Sequence, residues 1–328
     1  MILPLFISVP VNFAQPQFSG ISDMPGSFSR MGFGARGMGM GNALSAVIDG
    51  NLVSYYNPAL APFQEGNSFQ TSYSILSLDR SLNFMNFTRR FELGKKVNDD
   101  GTTSPRSVAG ISVGILNAGV SNIDARDEDG KKTGDLSTSE NQFFVAVSNR
   151  FSERLSIGIS FKFLYYKLYQ GITSSGIGFD IGAIYLINPQ LSLSLMISDI
   201  NSRYQWDSTP LYGQDGVITK DNFPLLKKIG VAYRFEDPKI IASVEFENSN
   251  GGTNIFRGGV EFNLYPDLFL RAGIDQVNFS NFDFPARPSI GFSYFYSLNS
   301  VKFGIDYAFV LEPYSSGDQH IIGVNVNF

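Results

Sequence analysis

Alternation between apolar and polar side chains is the dominant pattern over most of this sequence. Successive side chains of a strand point to opposite faces, so a period of two predicts β-strands. In residues 300–311, Val301 and Phe303 share one face, whereas Lys302 and Gly304 share the other. Fourteen runs of this kind are predicted as strands: 68–75, 81–91, 107–116, 140–151, 154–166, 174–187, 190–199, 224–235, 239–247, 254–263, 267–276, 288–297, 300–311 and 318–328.

The strand count and the character of the polar face together predict a closed barrel. Bacterial outer-membrane barrels have an even number of antiparallel strands, and closure leaves no unpaired edge in lipid. A soluble sandwich also alternates, but its polar face meets water and is usually rich in Lys, Glu and Thr. Here Gly and Ser dominate that face, as at Ser156, Gly158 and Ser160. The sequence therefore predicts an all-β fold, a 14-stranded antiparallel transmembrane β-barrel over residues 68–328, with a plug inside it.

Composition agrees with a wall that faces lipid. Charged residues are 17% of the chain and aromatic residues 14%, whereas charged residues average roughly 25% in soluble proteins. The mean hydropathy is only -0.02, and no window of ~20 residues is continuously apolar, which excludes helical membrane spans. Apolar side chains distributed singly along strands reconcile these two observations.

The lengths of the predicted connections alternate, and this alternation predicts an orientation. Outer-membrane barrels have short periplasmic turns and longer external loops. The short links are 152–153, 188–189, 236–238, 264–266 and 298–299, and the longer ones are 117–139, 167–173, 200–223, 248–253, 277–287 and 312–317. Two links depart from the trend, 76–80 being short and 92–106 long. The last strand ends the chain on Phe328, which resembles the terminal signal read by the outer-membrane barrel assembly machinery.

Several kinds of chemistry are excluded by composition. The chain has no cysteine, and its one histidine, His320, cannot form a multi-histidine metal site or a histidine-based triad. The net charge of -5 and the lack of a Lys/Arg cluster argue against nucleic acid as a partner. The acidic segment 117–139 lacks the ligand spacing of an EF-hand and is interpreted as a solvated loop. Nothing predicts an enzyme or a cofactor.

The first 67 residues differ from the rest. Residues 1–14 resemble what remains of a signal peptide cut after Ala14, although the usual Lys/Arg start is missing and an apolar strand is the alternative. Residues 15–67 lack alternation and are predicted to be an N-terminal hatch that plugs the barrel. Gly32 to Gly37 match G-x-G-x-x-G, but no strand precedes them and no βαβ unit surrounds them, so nucleotide binding is not expected. These glycines let the backbone turn and pass close to the wall.

The hatch carries a recognisable motif. Its Gly-rich run contains Gly37, Gly39 and Gly41, and the run is followed by Asn57, Pro58 and Ala59 within Tyr-Tyr-Asn-Pro-Ala-Leu-Ala. This combination resembles the PorV/PorQ family of FadL-like outer-membrane proteins. The resemblance implies a hatch with an Asn-Pro-Ala element inside a fourteen-stranded barrel. The resemblance leaves two functions open, because FadL takes up fatty acids and other hydrophobic molecules, whereas PorV and PorQ belong to the type IX secretion apparatus.

Inward-facing charges in hairpin 254–276 suggest a polar lining. If Asn263 pairs with Phe269, Glu261 lies opposite Arg271, and Arg257 lies opposite Asp275. Opposite charges on one face stabilise a strand pair. These lumen charges either hold the plug and guide a solute, or form a structural charge ladder inside the wall.

Aromatic residues in the predicted external loops have no place in the wall. A hydrophobic groove or a docking surface is one interpretation, and loop packing with the interfacial aromatic girdle is the other. The candidates are Tyr204, Trp206, Tyr212, Phe279, Phe282 and Phe284.

Two functions remain open. The first is a hatch-gated channel or binding protein for hydrophobic small molecules in the bacterial outer membrane, and the second is a type IX secretion component that binds cargo or partner subunits. The expected partners are outer-membrane lipid, the assembly machinery and either a hydrophobic solute or secretion proteins.

Overall fold

The computed structural model describes residues 20–21, 24–97, 102–169, 171–279, 281 and 285–328. The predicted signal segment 1–14 lies outside these residues, as do Phe282 and Phe284. Among the described residues, no helix is long and apolar enough to cross a bilayer.

The described chain is mostly β-structure. The strands are β1 (Asn67–Ile75), β2 (Arg80–Leu93), β3 (Lys96–Val97), β4 (Thr103–Ser104), β5 (Ser107–Arg126), β6 (Lys132–Arg150), β7 (Leu155–Tyr169), β8 (Ile172–Leu186), β9 (Leu191–Ile200), β10 (Arg203–Asp207), β11 (Ile218–Asn222), β12 (Leu226–Phe235), β13 (Ile240–Ser249), β14 (Asn254–Tyr265), β15 (Leu268–Val277), β16 (Arg287–Leu298), β17 (Val301–Val310) and β18 (Gln319–Asn327). The helices are short: α1 (Gly34–Gly39), α2 (Thr209–Tyr212) and the 3-10 turns Ser27–Arg30, Pro58–Phe63 and Gly213–Asp215.

Fourteen of these strands close into one antiparallel barrel, which confirms the predicted fold. The wall omits only the two small hairpins, β3 with β4 and β10 with β11. Closure is made by β1 and β18, where Ser68 pairs with Asn327 and Ile75 with His320. All backbone groups of a closed wall can pair within the sheet, which is the condition for strands in lipid.

The alternation seen in the sequence separates the two faces of the wall. On β17, Phe303 and Ile305 are exposed on the outside, 43% and 58%, whereas Ala308 is completely buried on the inside. Inward positions of other strands hold buried serines such as Ser112, Ser160 and Ser293. An apolar outer face and an inner face of small polar residues suit a wall in lipid with a filled lumen.

The predicted loop 117–139 is wrong in extent, because most of it is strand. β5 continues to Arg126 and β6 begins at Lys132, which leaves a five-residue link. Asp124 lies opposite Asp135, and the Lys132 ammonium contacts both carboxylates at 2.9 and 2.6 Å. Asp124 and Asp135 are therefore paired across the hairpin, and only Asp127, Glu128 and Asp129 lie in the link itself.

The N-terminal segment from Met24 to Gly66 packs against inward-facing residues of the wall. Its buried apolar side chains form the main hydrophobic cluster together with inward residues of the wall, among them Phe33, Leu60 and Phe144. The segment approaches the wall most closely at inward-facing glycines. A Cβ on Gly158 would lie 2.4 Å from the Pro58 carbonyl carbon, and one on Gly273 would lie 2.1 Å from the Gly41 nitrogen. Glycine on the inner face is therefore what allows the two backbones to meet.

Candidate functional site

A buried ion pair joins the N-terminal segment to the wall. Arg36 on α1 is 7% exposed, and it donates to Glu261 of β14 through Nε at 2.9 Å and Nη2 at 2.8 Å. Its Nη1 donates to the Asn51 carbonyl at 3.0 Å. Burial opposes the charged guanidinium, but the Glu261 carboxylate outweighs burial and holds the pKa of Arg36 above its ordinary value. Arg36 was not among the predicted site residues, and the one sequence signal for it is a cation inside a glycine-rich run.

Glu261 begins a chain of polar side chains that we call the first polar arc. Arg271 donates to Glu261 at 2.6 Å and to Ser293 at 2.6 Å. Ser293 donates to Asp306, which also accepts from Asn325 at 2.5 Å. The first polar arc therefore crosses five adjacent strands, β14 to β18: Glu261, Arg271, Ser293, Asp306 and Asn325.

A second polar arc crosses strands β12 to β15, and Arg257 is its centre. This guanidinium contacts Asp275 at 2.7 Å and both Glu245 and Glu247 at 3.0 Å. Lys228 also contacts Glu247, at 3.2 Å. The N-terminal segment joins this arc through Asn42, whose amide donates to Asp275 at 2.8 Å.

The β14–β15 hairpin brings all four predicted lumen charges to the inner face. Asn263 pairs with Phe269, and Glu261 pairs with Arg271, which is the register expected from the sequence. The pairing shifts between Phe256 and Gly258, and Gln276 has a φ of 61°. Arg257 still reaches Asp275, but through a β-bulge rather than a regular cross-strand pair.

Two of the three glycines of the hatch motif, Gly37 and Gly41, are required by close approach. A Cβ on Gly37 would lie 1.9 Å from the Tyr56 hydroxyl, and one on Gly41, where φ is +58°, would lie 2.5 Å from the Ile274 backbone. Gly39 is less restricted, because its Cβ would make ordinary contacts from 3.5 Å. Gly37 and Gly41 therefore let α1 and the turn after it fit against the lumen.

Asn57, Pro58 and Ala59 anchor the other end of the segment. The Asn57 side chain, 0% exposed, accepts from the Ala59 backbone at 2.9 Å and thereby caps the 3-10 turn Pro58–Phe63. Its amide donates to the carbonyls of Ala183 at 3.3 Å and Ser45 at 3.2 Å. The motif thus fixes one turn of the segment to β8.

Part of the inner wall is apolar, although serines such as Ser112 and Ser160 lie further along the same strands. Strands β2, β5, β6 and β7 point buried apolar side chains inward, and we call this set the inner apolar face: Leu82, Phe84, Leu116, Phe144 and Leu164. Phe33 of the N-terminal segment covers it, with its ring centroid 3.8 Å from that of Phe84 and 6.0 Å from that of Phe144. The N-terminal segment therefore lies between this face and the polar arcs.

The predicted external aromatics do not form a single surface. Tyr204 is 1% exposed, because hairpin β10–β11 folds into the barrel mouth, where Gln205 N donates to Ser174 Oγ at 2.8 Å. Tyr204, Leu164 and Phe223 form a buried cluster with Tyr166 and Trp206 packed against it, which we call the outer aromatic cluster. Burial raises the pKa of the Tyr204 phenol, and the nearby Glu140 carboxylate raises it further. Tyr204 thus packs within the barrel mouth, as in the loop-packing interpretation, and aromatic composition alone does not distinguish a buried loop from an open one.

The remaining candidates lie elsewhere. Tyr212 is 65% exposed and Phe279 is 58% exposed, and the Phe279 ring lies 4.8 Å from that of Phe256 on β14. Phe328 is 53% exposed, and its ring stacks 6.5 Å from Phe87. Its backbone pairs with Asn67 at 2.8 and 3.0 Å, which ties the C-terminus to the start of β1.

Two cavities open at the barrel end that carries the short turns. One of about 240 Å³ is lined by Arg36, Glu261, Arg271 and Phe295. The other, of about 310 Å³, is lined by Ile240, Ile241, Asn263 and the turn residue Glu236. Phe269 and Glu261 line both cavities. The Arg36–Glu261 pair therefore lies beside open space rather than in a closed core.

Comparison with solved structures identifies the fold. The chain is similar to the Pseudomonas putida toluene transporter TodX, with a TM-score of 0.56 and 15% identity over 90% of this chain and 96% of that one. It is also similar to the CymD monoaromatic hydrocarbon channel, with a TM-score of 0.58 and 16% identity over 91% and 98% of the two chains. A Pseudomonas aeruginosa FadL homologue gives 0.53 and 11% over 90% and 98%.

No family model and no curated protein matches the sequence. The fold is that of a FadL-like barrel. A closed, even-stranded antiparallel wall with an apolar exterior is the architecture of bacterial outer-membrane proteins. The fold and the lipid-facing wall place this chain in the bacterial outer membrane.

Proposed function

We propose that this protein carries small hydrophobic molecules across the outer membrane, and that residues 15–67 act as a hatch. The observation that carries the proposal is the inner apolar face, which Phe33 of the N-terminal segment covers. A water-filled pore has a polar lining, whereas Phe84, Leu116 and Phe144 suit an apolar solute. Displacement of the hatch exposes these side chains to the lumen.

Two further observations support this function. Structural neighbours are described as a toluene transporter and a monoaromatic hydrocarbon channel, which are proteins for apolar solutes. The described part of the hatch is held by separate side-chain contacts, such as Arg36–Glu261 and Asn42–Asp275. Contacts of this kind can break individually while the closed wall keeps its backbone pairing.

A disulfide between hatch and wall tests the proposal directly. Ser45 of the hatch and Ser194 of β9 bring their Oγ atoms within 2.8 Å, and the chain has no native cysteine to compete. In a Ser45→Cys, Ser194→Cys variant, oxidation should fix the hatch to the wall. We expect uptake of radiolabelled toluene by expressing cells to fall to that of cells without the protein, and to recover when a reductant is added.

The matched control is a disulfide that leaves the hatch free. Ser77 and Ser315 lie in two loops at the other end of the wall, with their Oγ atoms 2.5 Å apart. The Ser77→Cys, Ser315→Cys variant should take up toluene equally well when oxidised and reduced. Undiminished uptake by the oxidised Ser45–Ser194 variant would contradict a moving hatch.

The resemblance of the hatch motif to PorV/PorQ supports a second candidate function. In that case the barrel binds secreted cargo or other type IX secretion subunits and carries no solute. Mild detergent extraction of the tagged chain from its native membrane, followed by mass spectrometry, distinguishes the two functions. Stoichiometric recovery of secretion proteins favours the second function, and recovery of the barrel alone favours transport.

A further inference from the structure

Gln142 lies between two residues of the inner apolar face, Leu116 and Leu164. It points inward from β6, its cross-strand neighbours are Leu116 on β5 and Leu164 on β7, and Phe144 is the next inward residue on its own strand. All three neighbours are buried, and Gln142 itself is 0% exposed. Three apolar side chains therefore border the amide, and the inward residue on its other side along β6 is Glu140, whose carboxylate accepts from the Tyr204 hydroxyl at 3.3 Å.

Both polar atoms of the Gln142 amide are unpaired among the described residues. Neither Nε2 nor Oε1 has a hydrogen-bond partner among the residues that the structure describes. Burying an amide without a hydrogen bond is costly, and the great majority of buried polar side-chain atoms are paired. Gln70, another buried inward glutamine, illustrates the ordinary case, since its Nε2 donates to Leu52 O and Ser68 Oγ at 3.4 Å.

Two elements that are not part of the wall cover the surface around Gln142. On one side lies the outer aromatic cluster, where Tyr204 of hairpin β10–β11 packs with Leu164. On the other side lies Phe33 of the hatch, which packs with Phe144. These covering elements also meet each other, because a Cβ on Gly26 would lie 2.2 Å from the Phe223 ring. Separation of hatch and hairpin exposes Gln142 together with its apolar neighbours Leu116, Phe144 and Leu164.

We propose that Gln142 contacts the solute and selects among apolar molecules. Its amide hydrogen-bonds a hydroxyl or carbonyl oxygen on a compact apolar solute that moves from the outer aromatic cluster to the inner apolar face. Oxygen-bearing compounds of monoaromatic size are therefore preferred over plain hydrocarbons of the same size. A site that hydrogen-bonds a polar substituent discriminates strongly against an analogue that lacks it. This inference rests on the proposed transport of hydrophobic molecules.

The test compares toluene with p-cresol, which differ by one hydroxyl group. Cells expressing the wild-type chain, Gln142→Met or the control Gln70→Met are assayed for uptake of both radiolabelled compounds. Methionine keeps the length and apolar stem of glutamine but removes the amide. We expect Gln142→Met to lower the ratio of p-cresol to toluene uptake by roughly fivefold, the effect of one hydrogen bond. Gln70→Met should leave the ratio unchanged, and an unchanged ratio in Gln142→Met overturns the inference.

A binding measurement separates this inference from the transport proposal. Trp206 is the one tryptophan of the chain and packs in the outer aromatic cluster, so its fluorescence reports solutes bound there. If wild-type cells take up neither compound, the transport proposal fails, and titration of the purified protein still decides the role of Gln142. Tighter binding of p-cresol than toluene that is lost in Gln142→Met supports the inference. Equal loss of both ligands, or no change, overturns it.

Discussion

Arg36 in the lumen and Glu261 on the wall form a two-point ion pair with nitrogen–oxygen distances of 2.8 and 2.9 Å. Both side chains are buried, and Glu261 has a second partner in Arg271. Replacing Arg36 with Met should lower the free energy of unfolding by about 2–3 kcal/mol. The loss is moderate for a buried pair because Arg271 still neutralises Glu261. Denaturant unfolding of the purified protein in detergent measures it.

Arg234→Met is the matched control for this ion pair. Arg234 also joins the wall to the hatch, at 2.7 Å from Asp49, but the two side chains are 40% and 30% exposed. Exposed pairs contribute at most about 1 kcal/mol. A loss in Arg36→Met no larger than that in Arg234→Met would show that the buried pair does not anchor the hatch.

Asn57 should stabilise the hatch through its side-chain oxygen and its amide separately. Asn57→Ser keeps an acceptor for the Ala59 backbone but loses the donors to Ala183 and Ser45, whereas Asn57→Ala loses both. We expect Asn57→Ala to cost about 2 kcal/mol and Asn57→Ser about half as much. Thermal unfolding of the wild-type chain, Asn57→Ser and Asn57→Ala ranks their stabilities. Equal stability of Asn57→Ser and Asn57→Ala would show that the cap does not contribute.

The wall was predictable from sequence because lipid imposes a strict rule on one of its faces. Every second residue of strands such as β7 and β17 must be apolar, and this period of two can be recognised without knowing any long-range contact. The register of hairpin β14–β15 was predictable for a similar local reason, since a short turn fixes which residues face each other. The bulge at Gln276 was not predictable, because it depends on the contacts that Arg257 and Asp275 make in the second polar arc.

Contacts inside the lumen could not be predicted in this way. Arg36 and Glu261 are 225 positions apart, and no period connects them. The burial of Tyr204 could not be predicted, because an aromatic in a loop has the same composition whether the loop folds outward or into the mouth. Gln142 follows the alternation as an inward polar residue, and only the strand pairing reveals that Leu116 and Leu164 lie on either side of it.

Phe328 should affect assembly more than stability. Its ring is half exposed and stacks on Phe87, and its backbone pairs with Asn67. If the assembly machinery recognises the terminal aromatic, Phe328→Ala should reduce the amount of folded barrel in the outer membrane severalfold. Heat-modifiable gel migration of membrane fractions measures folded protein. Phe235→Ala removes an aromatic that is 45% exposed at another strand end and should leave the yield unchanged, and equal yields of the two variants would contradict a terminal signal.

Gly273 and Gly258 offer a test of how closely the hatch must approach the wall. A Cβ on Gly273 would meet Gly41 N at 2.1 Å and the Met40 carbonyl carbon at 2.3 Å, both of them backbone atoms that cannot rotate away. On Gly258, in the neighbouring strand, the nearest atom would be Ile274 Cγ2 at 3.8 Å, an ordinary contact.

Gly273→Ala should therefore push the hatch away from β15, at a cost of about 1–3 kcal/mol in unfolding free energy. If the hatch closes the path, the same change should raise toluene uptake above that of the wild-type chain. Gly258→Ala should change neither quantity. Reduced stability without faster uptake in Gly273→Ala would mean that the hatch fits against the wall at this point without closing the path there.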